Sequence, residues 1–415
     1  MIYKINRNAD SLSLLDPAGE KDILVGIPSY KNQDTIGYVV QMAARGLQMY
    51  FPDHQGIIMN SDGNSPDDTR ANFCDAEIPS SIDRISSIYS GISGKGSAFR
   101  NIFEIARKLN VKAVLVVDSD LRSITPQWVK LLLEPVINDQ ADYITPLYIR
   151  HKYDGTITNN IVYPLTRALY GLDIRQPIGG DFGFSGRLLE PYLADNVWET
   201  DVARYGIDIW MTTTAIVKGY RLAQAALGAK IHDAKDPAIF LAPMFRQVVG
   251  TCFNFAGKNV DRWRSVNAVT EAPLWGDVAR VEPNPVTASF NALVDKFTKG
   301  REKFIPQWKK YLTRDNFELL NCAADGIKGR SFDISDEKWA HIVYDFMISY
   351  NQYPGEEEIL LDALTPLYFL KVADFINKYE KFTSQDAEQK IIEQADWFMK
   401  EKGYLLDRWS RQLVG

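Results

Sequence analysis

A short apolar run that ends in two aspartates constrains the fold of this chain most. Residues 111–117 are rich in β-branched side chains, and Asp118 and Asp120 follow directly. A run of this length cannot span a membrane and is typical of a strand buried on both faces of a sheet. In open α/β sheets, ligands bind beyond the carboxyl ends of the strands. The pattern therefore predicts two carboxylates where a ligand is expected.

The chemistry of Asp118-Ser119-Asp120 leaves two interpretations open. Two carboxylates one residue apart repel each other, and removal from water makes the repulsion worse. A divalent cation relieves it, and Mg²⁺ or Mn²⁺ prefers carboxylate oxygens together with diphosphate oxygens. The triplet is therefore a candidate metal–diphosphate site. The alternative is a solvated turn whose aspartates cap a helix.

Strand and helix patterns alternate through the first half of the chain. This order is typical of an α/β domain with a parallel sheet and helices on both faces. The predicted strands are 22–28, 55–59, 85–90, 111–118, 142–148 and 222–231. The predicted helices are 35–49, 98–109, 126–137, 160–170 and 205–218.

The pattern changes near residue 281, where strand signals disappear and amphipathic helical spacing takes over. We predict an α/β domain over 1–280 and a mostly α-helical domain over 281–415. The aromatic side chains of the helical region form no catalytic constellation and are expected to be core residues. The predicted helices of this region are 287–299, 305–314, 337–349, 357–378 and 384–400.

Composition narrows the class of protein. The chain has 415 residues and a net charge of −6, so bulk binding to nucleic acid or to an anionic membrane is not expected. Cys74, Cys252 and Cys322 are odd in number and far apart, which predicts reduced thiols. No signal-peptide pattern and no uncharged run of about 20 apolar residues is present. We expect a soluble, cytoplasmic protein.

Two more polar positions could meet a nucleotide. Asp62 follows the second predicted strand and could accept hydrogen bonds from a base or ribose, although an Asx turn explains it equally simply. Lys95 lies between Gly94 and Gly96 just before a predicted helix, where an anion is favoured, but the segment could also be a surface turn. Neither a Walker A motif nor a dinucleotide-binding G-x-G-x-x-G after the first strand is present.

Three later residues could complete a site. His232 ends a strand-like run and could be a metal ligand, although a lone histidine is more often structural. Asp181 follows Gly179-Gly180, and Asp208 lies at a predicted helix start. Either carboxylate could bind sugar hydroxyls, and Asp208 could instead stabilise its helix.

Taken in order, these motifs resemble those of GT-A glycosyltransferases. Pro28 after the first strand, Asp62, the Gly-Lys-Gly at 94–96 and Asp118-Ser119-Asp120 resemble the nucleotide-sugar half. Segments of the second half resemble the mannosylglycerate synthase and glucosyl-3-phosphoglycerate synthase families. Those segments are 156–158, 175–181, 206–208, 230–232, 336–340 and 354–355, and Pro164 adds to the likeness.

The resemblance implies a GT-A fold whose nucleotide-sugar half covers about 22–122 and whose acceptor half covers about 123–280. It also implies a retaining transferase with a divalent metal, Mg²⁺ or Mn²⁺. The donor-binding residues implied are Pro28, Tyr30, Asp62, Lys95, Asp118, Ser119, Gly179 and Gly180. The catalytic residues implied are Asp208, Asp181 and Gln176; the acceptor residues are Arg150, Thr158 and Asp208; the metal ligands are Asp120, His232 and Asp118.

This chain departs from the resembled pattern in two places. Residues 31–34 replace a loop that carries acidic residues in many GT-A enzymes, which leaves the nucleobase open. Asp181 stands where both resembled families carry glutamate, which leaves the sugar open. The donor could therefore be a GDP-, UDP- or ADP-hexose, and oligomerisation is also left open.

The expected reaction is transfer of glucose or mannose to D-glycerate, giving a compatible solute. The nearest rival uses 3-phosphoglycerate, whose phosphate Arg150, Lys152 and Arg167 could bind. A sugar-1-phosphate nucleotidyltransferase would carry a Gly-rich basic loop after the first strand, where residues 28–31 read Pro-Ser-Tyr-Lys. A nucleotide-sugar-binding protein without activity is the rival outside enzymes.

Overall fold

A computed structural model describes residues 21–231, 237–279 and 281–412. An eight-stranded sheet dominates the N-terminal part, with the order β10-β8-β5-β7-β4-β1-β2-β3. Its strands are β1 (Ile23–Ser29), β2 (Gly56–Asp62), β3 (Asp83–Ile88), β4 (Ala113–Val116), β5 (Tyr143–Ile149), β7 (Phe182–Ser185), β8 (Leu222–Ala229) and β10 (Leu274–Trp275). A separate pair joins β6 (Leu172–Asp173) and β9 (Thr270–Glu271).

Fifteen α-helices lie within the described residues. Those before residue 235 are α1 (Ile36–Tyr50), α2 (Thr69–Asp75), α3 (Lys95–Lys108), α4 (Pro126–Ile137), α5 (Tyr163–Tyr170), α6 (Leu189–Ala194) and α7 (Ile207–Val217). The later ones are α8 (Pro237–Lys258), α9 (Val260–Arg264), α10 (Phe290–Tyr311), α11 (Arg314–Gly326), α12 (Asp336–Gln352), α13 (Glu357–Tyr379), α14 (Ser384–Lys400) and α15 (Lys402–Gln412).

Helices cover both faces of the sheet, as the alternating pattern predicts. Every residue of β1 is buried. Its odd-numbered side chains, such as Val25, share one apolar cluster with helices α1 and α4. On the opposite face a Cβ at Gly26 would lie only 2.6 Å from Ile102 of α3, so that helix packs directly on the strand. The α/β fold class with a mostly helical C-terminal region is thus confirmed.

The sheet is mostly parallel, as predicted, but one strand departs from the prediction. β7 runs antiparallel between β4 and β5, while the other paired strands of the large sheet are parallel. Local sequence did not indicate this direction because strand orientation is set by tertiary packing. At Gly183 a Cβ would lie 1.8 Å from the Leu132 carbonyl oxygen of α4, so β7 fits only where helix and strand backbones approach closely.

The chain forms two compact units that are discontinuous in sequence. Of the described residues, the first contains those within 1–149, 176–234 and 272–281, and the second contains those within 150–175, 235–271 and 282–415. Two segments of the predicted α/β domain thus belong to the unit of the C-terminal helices. Within that second unit, the Lys402 ammonium donates to the carbonyls of Ala168 and Val266 at 2.8 and 2.7 Å.

The helices of the C-terminal region do not all begin and end where they were predicted to. The predicted helices 287–299 and 305–314 are one helix, α10, because Gly300 and Pro306 do not interrupt it. Gly300 instead lets α10 approach α13, since a Cβ there would lie 2.1 Å from Pro366. The predicted helix over 160–170 begins as a π-helical turn at Thr158–Val162. The sequence analysis did not predict helices α2, α6, α8, α9, α11 and α15.

In the part of the chain that the structure describes, no helix combines the length and the apolar character needed to cross a bilayer.

The close approach of Gly183 to the Leu132 backbone can be tested by a substitution that adds a single methyl group. We expect Gly183→Ala to lower the free energy of unfolding by about 1–3 kcal/mol, because the Leu132 backbone must move. Gly37→Ala in α1 is the matched control, since its Cβ would make only an ordinary contact at 3.7 Å. Its stability should stay unchanged or rise by up to about 1 kcal/mol. Urea unfolding measures both, and equal stability of the two variants would contradict the packing.

Candidate active site

Charged side chains from five elements of the first unit meet at the carboxyl edge of the sheet. Asp118 lies two residues beyond β4, and Asp181 immediately precedes β7. Asp208 lies in the first turn of α7. Lys95 begins α3, and Lys230 follows β8 directly. We call these five residues the charge cluster.

Lys95 joins two of the three carboxylates. Its ammonium lies 2.9 Å from Asp118 Oδ1 and 3.3 Å from Asp208 Oδ1. The Gly180 carbonyl oxygen is 3.5 Å away. The close packing of the first turn of α3 requires Gly96, where a Cβ would lie 1.8 Å from the Val202 carbonyl oxygen. The Gly-Lys-Gly motif therefore lets the start of α3 pack against the backbone at Val202, and it places the Lys95 ammonium beside the carboxylates of Asp118 and Asp208.

Lys230 joins Asp118 to the third carboxylate. Its ammonium lies 3.0 Å from Asp118 Oδ2 and 2.8 Å from Asp181 Oδ2, and it donates to the Gly179 carbonyl oxygen at 3.0 Å. The ammonium also lies 5.0 Å from the centre of the Tyr148 ring. Only 5% of its side chain is exposed.

Asp181 is fully buried and both of its oxygens accept hydrogen bonds. The backbone N–H of Asp118 donates to Oδ1 at 2.8 Å. The Tyr148 hydroxyl and the Lys230 ammonium donate to Oδ2. A carboxylate held in this way shapes the backbone around Asp118, and the sequence-based prediction of a catalytic role for Asp181 stays a prediction.

The two lysines dominate the electrostatics at Asp118. Burial would raise the pKa of this carboxyl, but the charges and hydrogen bonds of Lys95 and Lys230 outweigh burial and hold it well below its usual range. Burial would likewise lower the pKa of Lys95, but Asp118 and Asp208 outweigh it and raise that pKa. At Asp208 burial prevails and raises the pKa, with Lys95 opposing the shift.

A glycine turn closes this side of the site. Gly180 has a φ of +94°, which a side chain rarely adopts, and a Cβ there would lie 2.5 Å from Asp118 Oδ2. Gln176, which precedes the turn, is buried and donates to the Tyr148 carbonyl oxygen at 2.8 Å. The predicted residues Gly179, Gly180 and Gln176 therefore frame the charge cluster.

Asp62 belongs to a second polar group, after β1 and β2. Its carboxylate accepts from the Ser29 hydroxyl at 2.8 Å and from the Ser65 N–H at 2.7 Å. This is the bonding expected of a carboxylate that orders a turn, which is one of the two interpretations that the sequence left open. Nearby, Pro28 is buried, whereas Tyr30 is 54% exposed.

Ser119 connects the aspartate triplet to the loop after β1. Its hydroxyl donates to Asn32 Oδ1 at 2.8 Å, and its carbonyl oxygen accepts from the Thr35 hydroxyl at the same distance. The predicted donor-binding positions on β1 and β4 are thus tied together by short polar contacts.

The described residues do not by themselves make a metal site. Among them, no three His, Cys, Asp or Glu side chains are grouped to hold a metal ion. Each oxygen of Asp118 lies within 3.0 Å of a lysine ammonium. Asp120 is partly buried, and His232 lies outside the described residues. Ile231, just before it, accepts from the N–H of Arg122 at 2.9 Å, so β8 leads toward the segment after Asp120.

The predicted acceptor residues Arg150 and Thr158 lie in the second unit. Arg150 pairs with Asp154 at 3.0 Å, and Thr158 begins the π-helical turn. The sequence analysis gave no role to Lys230, which belongs to the charge cluster, or to Tyr148, which contacts Lys230 and Asp181. The available signal for Lys230 was a charged residue at the end of an apolar strand, one position before the end of the predicted run.

The ion pairs of Asp118 should make the free energy of unfolding depend on pH in the acid range. A carboxyl whose pKa is depressed by folding stabilises the protein above its unfolded-state pKa of about 3.9, and this stability is lost as the pH falls below that value. Asp118→Asn should therefore cost up to about 3–5 kcal/mol at pH 7, and the difference from wild type should shrink toward pH 3.

Urea unfolding at pH 7, 5 and 3, with a chelator present, measures this dependence. Asp53→Asn, at an exposed position, is the control and should follow the wild type at each pH. A wild-type advantage over Asp118→Asn that persists undiminished at pH 3 would contradict the ion pairs.

No protein-family model and no curated protein matches the chain. Solved structures similar to it include glucosyl-3-phosphoglycerate synthase from Mycobacterium tuberculosis with Mn²⁺, UDP and glucosyl-3-phosphoglycerate. The identity is 22% and the TM-score 0.45, over 57% of this chain and 80% of that one. The same enzyme with Mn²⁺, UDP-glucose and phosphoglyceric acid is 21% identical, with a TM-score of 0.44 over 57% of this chain and 80% of that one. A mycobacterial protein is 24% identical, with a TM-score of 0.44 over 57% of this chain and 75% of that one.

Proposed function

We propose that the protein is a glycosyltransferase that uses a nucleoside-diphosphate sugar. The observation that carries the proposal is the charge cluster at the carboxyl edge of a mostly parallel sheet, with Lys95 at the start of α3 and Asp118 after β4. Ligands of α/β sheets bind at this edge. A helix N-terminus together with a lysine favours a phosphate group. The ordered GT-A motifs of the sequence support the same class.

The cluster offers the groups that such a transfer needs. Cleavage of a sugar–phosphate bond develops positive charge on the sugar and negative charge on the departing diphosphate. Lys95 would stabilise the diphosphate, while the carboxylates of Asp118 and Asp208 would lie toward the sugar and its hydroxyls. Asp208 is buried, so a hydrogen bond that its carboxylate accepts there would be shielded from bulk water.

A small unphosphorylated hydroxy acid such as D-glycerate is the acceptor that we propose. The rival acceptor, 3-phosphoglycerate, needs further basic groups, and all three named from the sequence are already engaged, Arg150 with Asp154 at 3.0 Å. The Lys152 ammonium donates to the carbonyls of Tyr379, Glu380 and Phe382 at 2.6–3.1 Å. Arg167 pairs with two carboxylates, those of Asp173 and Asp396. These contacts favour an acceptor without phosphate.

We infer that a divalent ion, Mg²⁺ or Mn²⁺, binds at Asp120, with His232 as the second ligand expected from the sequence. Such an ion would supply positive charge to the diphosphate. Asp118, whose oxygens lie against two lysines, would then act on the ribose or sugar side. Retention of configuration is expected from the sequence resemblance.

Sugar transfer itself is the first test. We expect purified protein with Mn²⁺ to convert D-glycerate to a hexosylglycerate with one of the UDP-, GDP- or ADP-activated hexoses, glucose or mannose. The panel includes UDP-glucose and 3-phosphoglycerate. Product is measured by mass spectrometry, and its anomeric configuration by NMR. Turnover with 3-phosphoglycerate at a higher kcat/KM would move the assignment to the rival, and no turnover with any donor would refute the proposal.

The metal assignment has its own test. Asp120→Ala should lower kcat/KM by at least about 100-fold and remove its dependence on Mn²⁺ concentration, because a bound cation contributes several kcal/mol of charge stabilisation. Asp75→Ala, an exposed position at the end of α2, is the control. An Asp120→Ala enzyme that still responds to Mn²⁺ as the wild type does would place the metal elsewhere.

A further inference from the structure

We propose that Lys230 is a positioning residue for the transfer reaction. On this view its ammonium holds Asp118 and the Gly179-Gly180 turn in the geometry that the donor sugar requires. The inference rests on the proposed function and goes beyond it, because neither the motifs nor the charge complementarity of a diphosphate assigns Lys230 a role.

The contacts of Lys230 reach four strands of the sheet. The residue itself follows β8, and its ammonium bonds Asp118 after β4 and Asp181 before β7. It also lies over the ring of Tyr148 in β5. One side chain thus connects the ends of β4, β5 and β8 with the beginning of the antiparallel strand β7.

Burial distinguishes Lys230 from Lys95. Lys230 is 5% exposed, and its ammonium contacts two carboxylates and a carbonyl oxygen of the protein. Lys95 is three times more exposed, at 15%, and lies at a helix N-terminus, where an anion binds. We therefore assign ligand charge to Lys95 and internal positioning to Lys230.

Charge balance explains why the position needs a cation. Asp118 bonds to Asp181 through its own backbone N–H, at 2.8 Å, and both carboxylates also share the Lys230 ammonium. Without that ammonium, the fully buried carboxylate of Asp181 would lie beside the partly buried carboxylate of Asp118, and Lys95 would pair only with Asp118 and Asp208. Repulsion would then turn Asp118 away from its present direction.

The experiment is a double-mutant cycle between Lys230→Met and Asp181→Asn, measured as transferase kinetics. Methionine keeps the length of the side chain without the charge, and asparagine keeps the shape of the carboxylate. We expect Lys230→Met to lower kcat by about 100-fold, as a reacting group displaced by about 1 Å does. The KM for the acceptor should change by less than about threefold, because uniform acceptor binding is kept.

The cycle separates positioning from other roles. In the Lys230→Met background, Asp181→Asn should cost at least about tenfold less in kcat than it does alone, because removal of the unpaired carboxylate relieves the repulsion. Lys230→Arg, which keeps the charge, should recover at least about tenfold of the lost kcat. Lys218→Met, at the exposed end of α7, is the matched control and should leave kcat unchanged.

Two results would overturn the assignment to Lys230. One is a folded Lys230→Met enzyme with wild-type kcat, which would reduce Lys230 to a stability role. The other is strict additivity of the two substitutions, which would show that Lys230 and Asp181 act independently. A failure of the proposed function is distinct, because it appears in the wild type as an absence of sugar transfer with every donor.

Discussion

The charge cluster is the interaction on which the site depends. Three carboxylates, those of Asp118, Asp181 and Asp208, are held around two ammonium groups, those of Lys95 and Lys230. Carboxylates this close would repel each other without the lysines, and removal of one partner from a buried pair is more destabilising than absence of the whole pair. The five residues lie just after β4 and β8, just before β7, and in the first turns of α3 and α7, so the cluster joins five different elements. The same ion pairs therefore both neutralise the carboxylates and hold them in place.

Several parts of this arrangement could be predicted from the sequence because they follow from local patterns. The first five strands of the α/β region and helix α4 were recognisable from apolar runs and turn residues, and α4 begins and ends at the predicted residues 126 and 137. Asp118 was placed correctly beyond β4 because a buried parallel strand is a continuous apolar run that stops where polar residues begin. These signals involve only neighbouring residues.

Other parts depend on contacts between distant residues and left no local signal. β7 runs antiparallel to β4 and β5, and a short strand-like run in the sequence looks the same in either direction. The continuity of α10 through Gly300 depends on Pro366, which is 66 residues further along the chain. Lys230 is one charged residue among many until β8 is placed beside β5. The role of Asp62, which bonds Ser29 and Ser65, likewise required the distances between two loops.

The antiparallel strand also explains how the short carboxylate of Asp181 comes to lie beside Asp118. Parallel strands end at the ligand edge of the sheet, whereas β7 begins there, so the residue before it, Asp181, lies beside the residue after β4. That proximity lets Asp181 reach the Asp118 N–H with a single methylene. The longer side chains of Lys230 and Tyr148 approach its other oxygen from β8 and β5. In this fully buried position a glutamate would need one of those partners to retreat, so the shorter carboxylate and the long lysine form a matched pair.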